Sequence, residues 1–485
     1  MFQLTEEVIQ QELIKIRSRE AFKRHNLHYM NKLIGSHVKE SKGQIYEVCP
    51  PRASWPHLNK YERKRLTPTK VNEKRLSYAF KHKGKWLEPY HALLDEIELI
   101  IDDGAVRKPK IAFIQKGNGF RPLTIYSLAD RIYINQYAAH LTEQIDHHFL
   151  DCSTAFRSKA YRRRTGIRNH HEAAKLVYDF IQQGKPLYVL EIDIKGFYDN
   201  VNKELALQLL SQYATEEDVS RVRQILEPYS YIDCVQSAMR AKKPIKQYQL
   251  MNEGIGIPQG GAVSCLLANV LLHEVDKVAE EVKGRYGDTL YLRYCDDVIF
   301  ISKHKQATLD FYEQYKQVMK SLQLEYHPVI ELTTYNKQFY SSKSKLYEFG
   351  KSFPWISFLG YEYSYKGSIR IRKSSIEKEL ALQTEFFNSI ELSDTDLDID
   401  KTTKSIIFHF NKRISGFNFR KSKNDKRCFS WVQGFQLIHG KKVLAAREQL
   451  KYLDRQMGMK LNQFKAKRGR SRQFVPKQSS YLNNI

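Results

Sequence analysis

Thr289-Leu290-Tyr291-Leu292-Arg293-Tyr294-Cys295-Asp296-Asp297-Val298-Ile299-Phe300-Ile301-Ser302 is the stretch on which the reading of this chain turns. Two runs rich in β-branched and aromatic residues flank a Cys-Asp-Asp centre, the pattern of a buried hairpin with two carboxylates at its tip. Adjacent ionised carboxylates repel, so at the edge of an apolar sheet they require a counter-charge, which a hard divalent cation with oxygen ligands supplies. Standing alone, the same residues also read as a solvated Asp-Asp turn on a surface hairpin. They do not stand alone. Upstream, Leu187-Tyr188-Val189-Leu190-Glu191-Ile192 is another apolar run, and it ends at Asp193. Beside the hairpin in one sheet, Asp193 brings a third carboxylate to the tip. Three acids from neighbouring strands can hold two Mg²⁺ ions roughly 3.5–4 Å apart, the arrangement used in phosphoryl transfer. The chemistry implied is nucleotidyl transfer.

Between these runs lies Gly254-Ile255-Gly256-Ile257-Pro258-Gln259-Gly260-Gly261-Ala262-Val263-Ser264, leading into an apolar helix from Cys265 to Leu272. Glycines such as Gly260 let the backbone approach a nucleotide or template closely, and Gln259 offers both a donor and an acceptor. Taken in order, the Asp-Ile-Lys-Gly-Phe-Tyr-Asp strand end at Asp193–Asp199, the Pro-Gln-Gly loop and the Tyr-Cys-Asp-Asp hairpin resemble the palm of a reverse transcriptase. Lys116-Gly117-Asn118-Gly119-Phe120-Arg121-Pro122-Leu123-Thr124-Ile125, followed by Ala129-Asp130-Arg131, resembles the family's fingers block, and Phe358-Leu359-Gly360-Tyr361 its primer-grip hairpin. The resemblance covers roughly residues 105–365, and five ordered blocks make coincidence remote.

The resemblance implies an α+β fold of the right-hand polymerase type: fingers, a palm with an RRM-like antiparallel sheet, and a helical C-terminal thumb. It implies Asp193, Asp296 and Asp297 as the catalytic acids, with Ile194 joining them as a metal ligand, and two Mg²⁺ as cofactor, Mn²⁺ being an alternative. Lys116 and Arg121, otherwise surface cations on a polar hairpin, take the triphosphate of the incoming nucleotide. Gln259 and Gly260 complete the nucleotide site. Tyr198 falls where the family sets an aromatic beneath the sugar, which would exclude a 2′-hydroxyl by shape. It could instead be a core aromatic, and Phe197 would be the gate if the turn were shifted by one. Lys195 and Asp199 brace the turn. In the candidate strand from Lys343 to Phe349, Lys345 could protonate the pyrophosphate leaving group, and Lys343 fits nearly as well.

Composition agrees with a nucleic-acid partner. The 485 residues allow about three domains, and the 42% hydrophobic content is enough for sizeable cores. Lys+Arg number 79 against 54 Asp+Glu, a net +25. Such an excess suits a polyanion, whose counterions it releases. An anionic membrane surface is the rival partner, but no apolar run approaches the roughly 18 residues of a spanning helix. The N-terminus is acidic where a signal peptide would be basic, so no membrane partner and a bacterial cytoplasmic location are expected. The 6 cysteines show no Cys-x-x-Cys pair, so neither a zinc site, including that of an accessory endonuclease domain, nor a disulfide framework is expected.

The chain is expected to divide into a helical N-terminal extension (1–95), fingers (96–185), a palm (186–365) with a fingers insertion near 212–250, and a thumb-like basic domain (366–485). Val8, Ile9, Leu13, Ile14 and Ile16 open a helical pattern. The clusters Lys60–Arg65 and Lys81–Trp86 read as solvated helix faces, or, through Trp55, Tyr61, Tyr78 and Trp86, as RNA contacts. The basic run Arg157–Gly166 reads as a template-backbone contact, and the acidic decade Glu391–Asp400 as a linker or exposed loop.

Within the family, the Asn-Ala-x-x-His and Val-Thr-Gly strings of retron enzymes are missing, and no clear maturase signature is visible. The chain therefore resembles the stand-alone, defence-associated bacterial reverse transcriptases of the formerly unknown groups, relatives of the retron and group II intron enzymes. That implies copying a structured non-coding RNA into cDNA from dNTPs in antiphage defence, with homo-oligomerisation open. Three alternatives stand beside it. One is an intron-type or retron reverse transcriptase/maturase. Another is an RNA-binding scaffold with a vestigial site, which the three intact acids oppose. The third is an RNA-dependent RNA polymerase, which Tyr198 opposes. Synthesis would start from an RNA hydroxyl or from a protein hydroxyl such as that of Tyr481. The +25 charge favours the RNA.

Overall fold

The residues around Gly119 fold back as a hairpin of β1 (Lys110–Lys116) and β2 (Gly119–Ile125), with Lys116 opposite Gly119 and Ile114 opposite Arg121. The apolar runs that end at the acids are neighbours in a separate five-stranded sheet. Its strands are β3 (Leu187–Ile192), β4 (Thr289–Tyr294), β5 (Asp297–Ser302), β6 (Val329–Glu331) and β7 (Ser344–Phe349), in the order β4-β5-β3-β7-β6. The computed structural model describes residues 2–13, 15–16, 48, 86–116, 119–184, 186–245, 254–331, 342–393, 406–407, 410, 419–420, 426–427, 431, 435–438 and 443–466.

The fold class is α+β. The palm sheet is antiparallel as expected in its pairings of β4, β5, β3 and β7, and at its edge β6 pairs with β7 in parallel, Val329 beside Ser344. The helices Ala262–Tyr286 and Lys305–Ser321 pack against the sheet. The first has buried positions along nearly its whole length, from Val263 to Val282, because it also packs on the helix Leu128–Ile145. The second follows the apolar period and turns Ala307, Phe311 and Tyr315 inward. Phe300 of β5 stacks on Phe311 with ring centroids 4.4 Å apart. Each ring removed from water contributes about 2–3 kcal/mol, so this layer anchors the strands that carry the acids.

The chain has two compact units: residues 1–9 with 92–354, and residues 10–91 with 355–485. The first unit contains the helices Glu216–Leu226 and Tyr231–Arg240, which fall in the stretch where an insertion was expected. The end of this stretch joins the β1–β2 hairpin: Phe120 N donates to Pro244 O at 2.9 Å, and Lys243 sits over the Phe113 and Phe120 rings. In the second unit, β8 (Trp355–Phe358), β9 (Tyr361–Ser364) and β10 (Ile369–Ile371) form an antiparallel sheet. The Phe358–Tyr361 stretch is a two-residue hairpin, as its resemblance implied, with Leu359 and Gly360 at φ 49° and 85°. Helices Lys373–Ser393 and Leu444–Ala466 pack together there. Gln449 caps the sheet edge by bonding both the N–H and the C=O of Ile371. The expected loop at Glu391–Asp400 begins instead as helix, since residues 391–393 complete the first of these helices.

Candidate active site

The strand register brings the acids together. Ile192 of β3 lies opposite Val298 of β5, so the next residue, Asp193, meets Asp297 at the same sheet end. β4 and β5 close with Tyr294 opposite Asp297, leaving Cys295 and Asp296 as a two-residue turn. Cys295 holds φ 59°, a left-handed conformation in which a residue with a Cβ is strained by roughly 1–2 kcal/mol. Asp296 thus stands on the tightest point of the hairpin.

Asp193 is held from several sides. Its N–H donates to Ser344 Oγ (3.1 Å) and its C=O accepts from His327 N (2.9 Å). Its carboxylate accepts from Lys343 Nζ at 2.9 Å and lies 3.4 Å from His327 Nε2, and Lys343 Nζ and His327 Nε2 are 3.1 Å apart. Lys343, rather than Lys345, is therefore the lysine at the acids. Lys345 lies within β7 opposite Glu191. The bonds Lys195 N to Glu325 O and His327 N to Asp193 O bracket the bridge between Ile194 and Tyr326. In that antiparallel geometry the Ile194 carbonyl faces away from Tyr326, toward the β5 side of β3.

Lys116 belongs to the same electrostatic group. Desolvation, then the cations Arg121 and Lys343, hold its ammonium below the usual lysine range, while Asp193 and Asp296 pull it back up. Arg121, two residues into β2 and exposed, completes the cationic hairpin.

Tyr198 lies on the short helix Phe197–Asn200, its hydroxyl 2.9 Å from Cys295 Sγ. Burial, then Cys295 and Cys265, push this phenol far above its ordinary range, so it stays neutral. Phe197 is fully buried, which leaves Tyr198 as the ring that faces the hairpin turn. The turn is braced partly as expected: Lys195 Nζ donates to Glu325, and Asn200 Nδ2 donates to the carbonyl of Lys195. Asp199 N donates to the Gly196 carbonyl of the turn at 2.9 Å, while its side chain bonds elsewhere. It is buried and accepts from Gln259 Nε2 at 2.6 Å. Burial raises its carboxyl to about 6, against the opposing pull of Gln259, Arg121 and Lys116.

Gln259 is thereby engaged inside the protein, where the sequence suggested a side chain open to a nucleotide. Its carbonyl also accepts from Thr124 N at 3.1 Å, which ties the Pro-Gln-Gly loop to β2. Gly260, at φ 99°, has a neighbour other than the expected nucleotide: a Cβ there would meet Leu123 Cδ1 at 3.1 Å. Gly256, at φ 95°, is more constrained, because a Cβ would come within 2.9 Å of Tyr231 Cβ.

Further readings need correction. Arg157 is no template contact. It is buried, with Nε on Asp146 Oδ1 at 2.5 Å and its other nitrogens on the carbonyls of Asp146, Phe149, Leu150 and Ser153. Arg164 is paired with Asp151 through both oxygens. Of that basic run, Lys159, Arg162 and Arg163 are exposed on the helix Lys159–Thr165, as is the paired Arg164. Trp86 is buried against Tyr90 and is not available for base stacking. The cluster Lys60–Arg65, Trp55, Tyr61, Tyr78 and Tyr481 lie outside the described residues, as does most of the C-terminal basic run.

Among the described residues, no three His, Cys, Asp or Glu side chains form a closed metal cage. The donors still suit a hard divalent ion. Mg²⁺ keeps waters and is commonly held by one or two carboxylates plus substrate phosphates, not by a complete protein cage. Asp193, Asp296 and the Ile194 carbonyl offer oxygen donors only. The ammonium of Lys343 now supplies the counter-charge that Asp193 requires.

A family model described as "Reverse transcriptase (RNA-dependent DNA polymerase)" matches residues 107–329, which contain the three acids. The "Group II intron-encoded protein LtrA" of Lactococcus lactis subsp. cremoris is 26% identical over 176 residues, 36% of this chain and 26% of that protein. The "Putative COX1/OXI3 intron 1 protein" of Saccharomyces cerevisiae is 22% identical over 170 residues, 35% of this chain and 18% of that protein. The alignments thus span about a quarter or less of these relatives' own length. Among solved structures, apo telomerase from Candida Tropicalis aligns with 95% of this chain and 81% of its own, at 12% identity and a TM-score of 0.39. No helix among the described residues is long and apolar enough to cross a membrane.

Proposed function

We propose that this protein is an RNA-directed DNA polymerase that copies a structured non-coding RNA into cDNA. The observation that carries the reading is the register that sets Asp193 beside Asp297 at the end of β3 and β5, with the Lys116 ammonium coupled to Asp193 and Asp296. The matched reverse transcriptase region supports it. In this reading residues 96–185 act as fingers, 186–365 as palm and 366–485 as thumb.

Asp193, Asp296 and Asp297, with the Ile194 carbonyl, would hold Mg²⁺ or Mn²⁺. When bound, such ions neutralise phosphate charge and activate the attacking 3′-hydroxyl. The chain's own residues do the rest. Lys116 and Arg121 bind the triphosphate from the β1–β2 hairpin, adding positive charge where charge builds up on the leaving group. Lys343 holds the Asp193 carboxylate until substrate arrives, and its ammonium is then within reach to give a proton to the departing pyrophosphate. Tyr198, fixed by its bond to Cys295, presents a ring that excludes a 2′-hydroxyl. Gln259 positions the Pro-Gln-Gly loop through Asp199 and Thr124 without touching the nucleotide by its side-chain nitrogen. RNA priming follows from the +25 charge, which suits a stably bound RNA.

The biological setting we propose is bacterial antiphage defence, on the resemblance to the stand-alone enzymes. The similarity to two intron proteins supports a second reading, an intron-type enzyme. One preparation tests both. The purified protein is expected to make DNA with Mg²⁺ and dNTPs, and Asp296→Ala with Asp297→Ala to abolish this with fold and RNA binding intact. Substantial synthesis by the folded double variant would sink the site. Sequencing the co-purified RNA and its DNA copy separates the settings: an intron with its flanking exons would favour the second.

A further inference from the structure

We infer that Arg293 is a positioning residue for the acid-bearing turn, acting through the carbonyl of Cys295. This rests on the polymerase reading above. Arg293 lies in β4, one residue before the Tyr-Cys-Asp-Asp sequence, and its side chain is 0% exposed. Nε and Nη2 form a two-pronged pair with Asp276 of the helix Ala262–Tyr286, at 2.8 and 2.6 Å. Nη2 also donates to Ser153 Oγ at 2.8 Å. Nη1 donates to Asn269 Oδ1 and to the Cys295 carbonyl, each at 3.1 Å. One guanidinium thus ties together a helix, the Ser153 segment and the turn.

The network is closed on all sides. Ser153 Oγ donates to Asn269 Oδ1 at 3.1 Å, and Asn269 Nδ2 to Ala155 O at 2.9 Å. Tyr291 Oη donates to Asp276 Oδ1 at 2.9 Å. Burial alone would raise the Asp276 carboxyl, but the Arg293 charge and its hydrogen bonds hold it below the usual carboxylate range. The backbone of Arg293 is bound as well: its N–H donates to Cys152 O, and its C=O accepts from Thr154 N, both at 2.9 Å.

Neutralising Asp276 needs only the Nε–Nη2 edge of the fork, so the Nη1 bond to Cys295 needs its own explanation. The Cys295–Asp296 peptide sits at the strained point of the hairpin, because Cys295 is left-handed without being glycine. Rotating that peptide would redirect Asp296 while leaving both strands in place. A donor on the Cys295 carbonyl fixes the peptide plane, and with it the direction of the carboxylate that follows. Geometry held to within about 0.5 Å is what such constellations require.

Arg293→Lys is the test. A lysine keeps a charge for Asp276 but cannot span Asp276 and the Cys295 carbonyl together. Expected are a fall in kcat of about 100-fold, an unchanged KM for dNTP because Lys116 and Arg121 are untouched, weaker Mn²⁺ binding to the free protein by electron paramagnetic resonance, and faster amide exchange at residues 295–298. A folded variant with wild-type kcat, Mn²⁺ binding and exchange would overturn the inference. If Arg293→Lys does not fold, the neutral pair Arg293→Met with Asp276→Leu makes the same comparisons without a stranded charge. If the wild type makes no DNA, the polymerase reading has failed, and the exchange and Mn²⁺ measurements still decide whether Arg293 fixes the turn.

Discussion

Replacing Asp199 by Asn should stabilise the protein at neutral pH and leave it unchanged in acid. The side chain is buried between the short helix Phe197–Asn200 and the Pro-Gln-Gly loop, with one neutral donor, Gln259 Nε2, at 2.6 Å. Lys116 and Arg121 act on it only from a distance, so burial wins and the carboxyl rises from 3.8 to about 6. A shift of about two units is worth about 3 kcal/mol. A raised folded pKa means that the folded state binds the proton more tightly than the unfolded chain. Stability is therefore highest below the unfolded value of 3.8, falls as pH rises toward about 6, and carries the full deficit above it. Asparagine removes the charge and can still accept from Gln259 through its amide oxygen. At pH 7.5 the variant is expected to melt higher by roughly 3 °C, and at pH 4 the two proteins should coincide. Denaturant midpoints at both pH values check the result, because every other group titrates alike in the two proteins. A variant destabilised by the same amount at both pH values would refute the reasoning, since Asp199 would then be contributing a bond instead of bearing a buried charge.

Two further outcomes follow from the site. Tyr198→Ala is expected to raise ribonucleotide incorporation at least tenfold with a smaller effect on deoxynucleotides, read from competition assays. If Phe197→Ala does so and Tyr198→Ala does not, the gate is misassigned. Lys343→Ala is expected to lower kcat by about 10²-fold or more, with Lys343→Arg recovering the hold on Asp193 but little of the proton transfer. A Lys345→Ala variant with the larger defect would return the role to the neighbouring lysine.

Much of the sheet was legible because its signals are local. An apolar run that stops at an acid specifies both a buried strand and where its end emerges, so Asp193 and the hairpin acids were readable from the primary structure alone. The apolar period from Ala307 likewise announced the helix Lys305–Ser321. Pairing direction is a different kind of fact. The parallel junction of β6 with β7 depends on how the chain returns to the sheet, and three residues such as Val329–Glu331 carry no mark of it. The choice between Lys343 and Lys345 was similarly hidden. Both are lysines at one strand end, and only the ladder shows that Lys345 pairs with Glu191 while Lys343 lies beyond the strand, beside Asp193.

Charge misled where the sequence could not say which way a side chain faced. Arg157 opens a run that looks like any phosphate-binding surface, yet it is the member turned inward, where it takes up the carbonyls of residues 146–153. Arg293 carried a stronger signal. A single arginine inside Leu-Tyr-Leu-Arg-Tyr has apolar or aromatic neighbours on both sides, and a buried guanidinium must find an acid. Asp276 shares the buried face of the facing helix with Leu272, Val275 and Ala279, but Glu274, Lys277 and Glu280 lie close by in the same stretch. That Arg293 needs an acid was therefore legible, whereas the choice of Asp276 over its charged neighbours was not. The link to the Cys295 carbonyl was not legible either, since that bond depends on the left-handed turn, and Cys295 is not a residue that announces one. The register that places the acids was therefore readable, whereas the group that aims one of them had to be found in three dimensions.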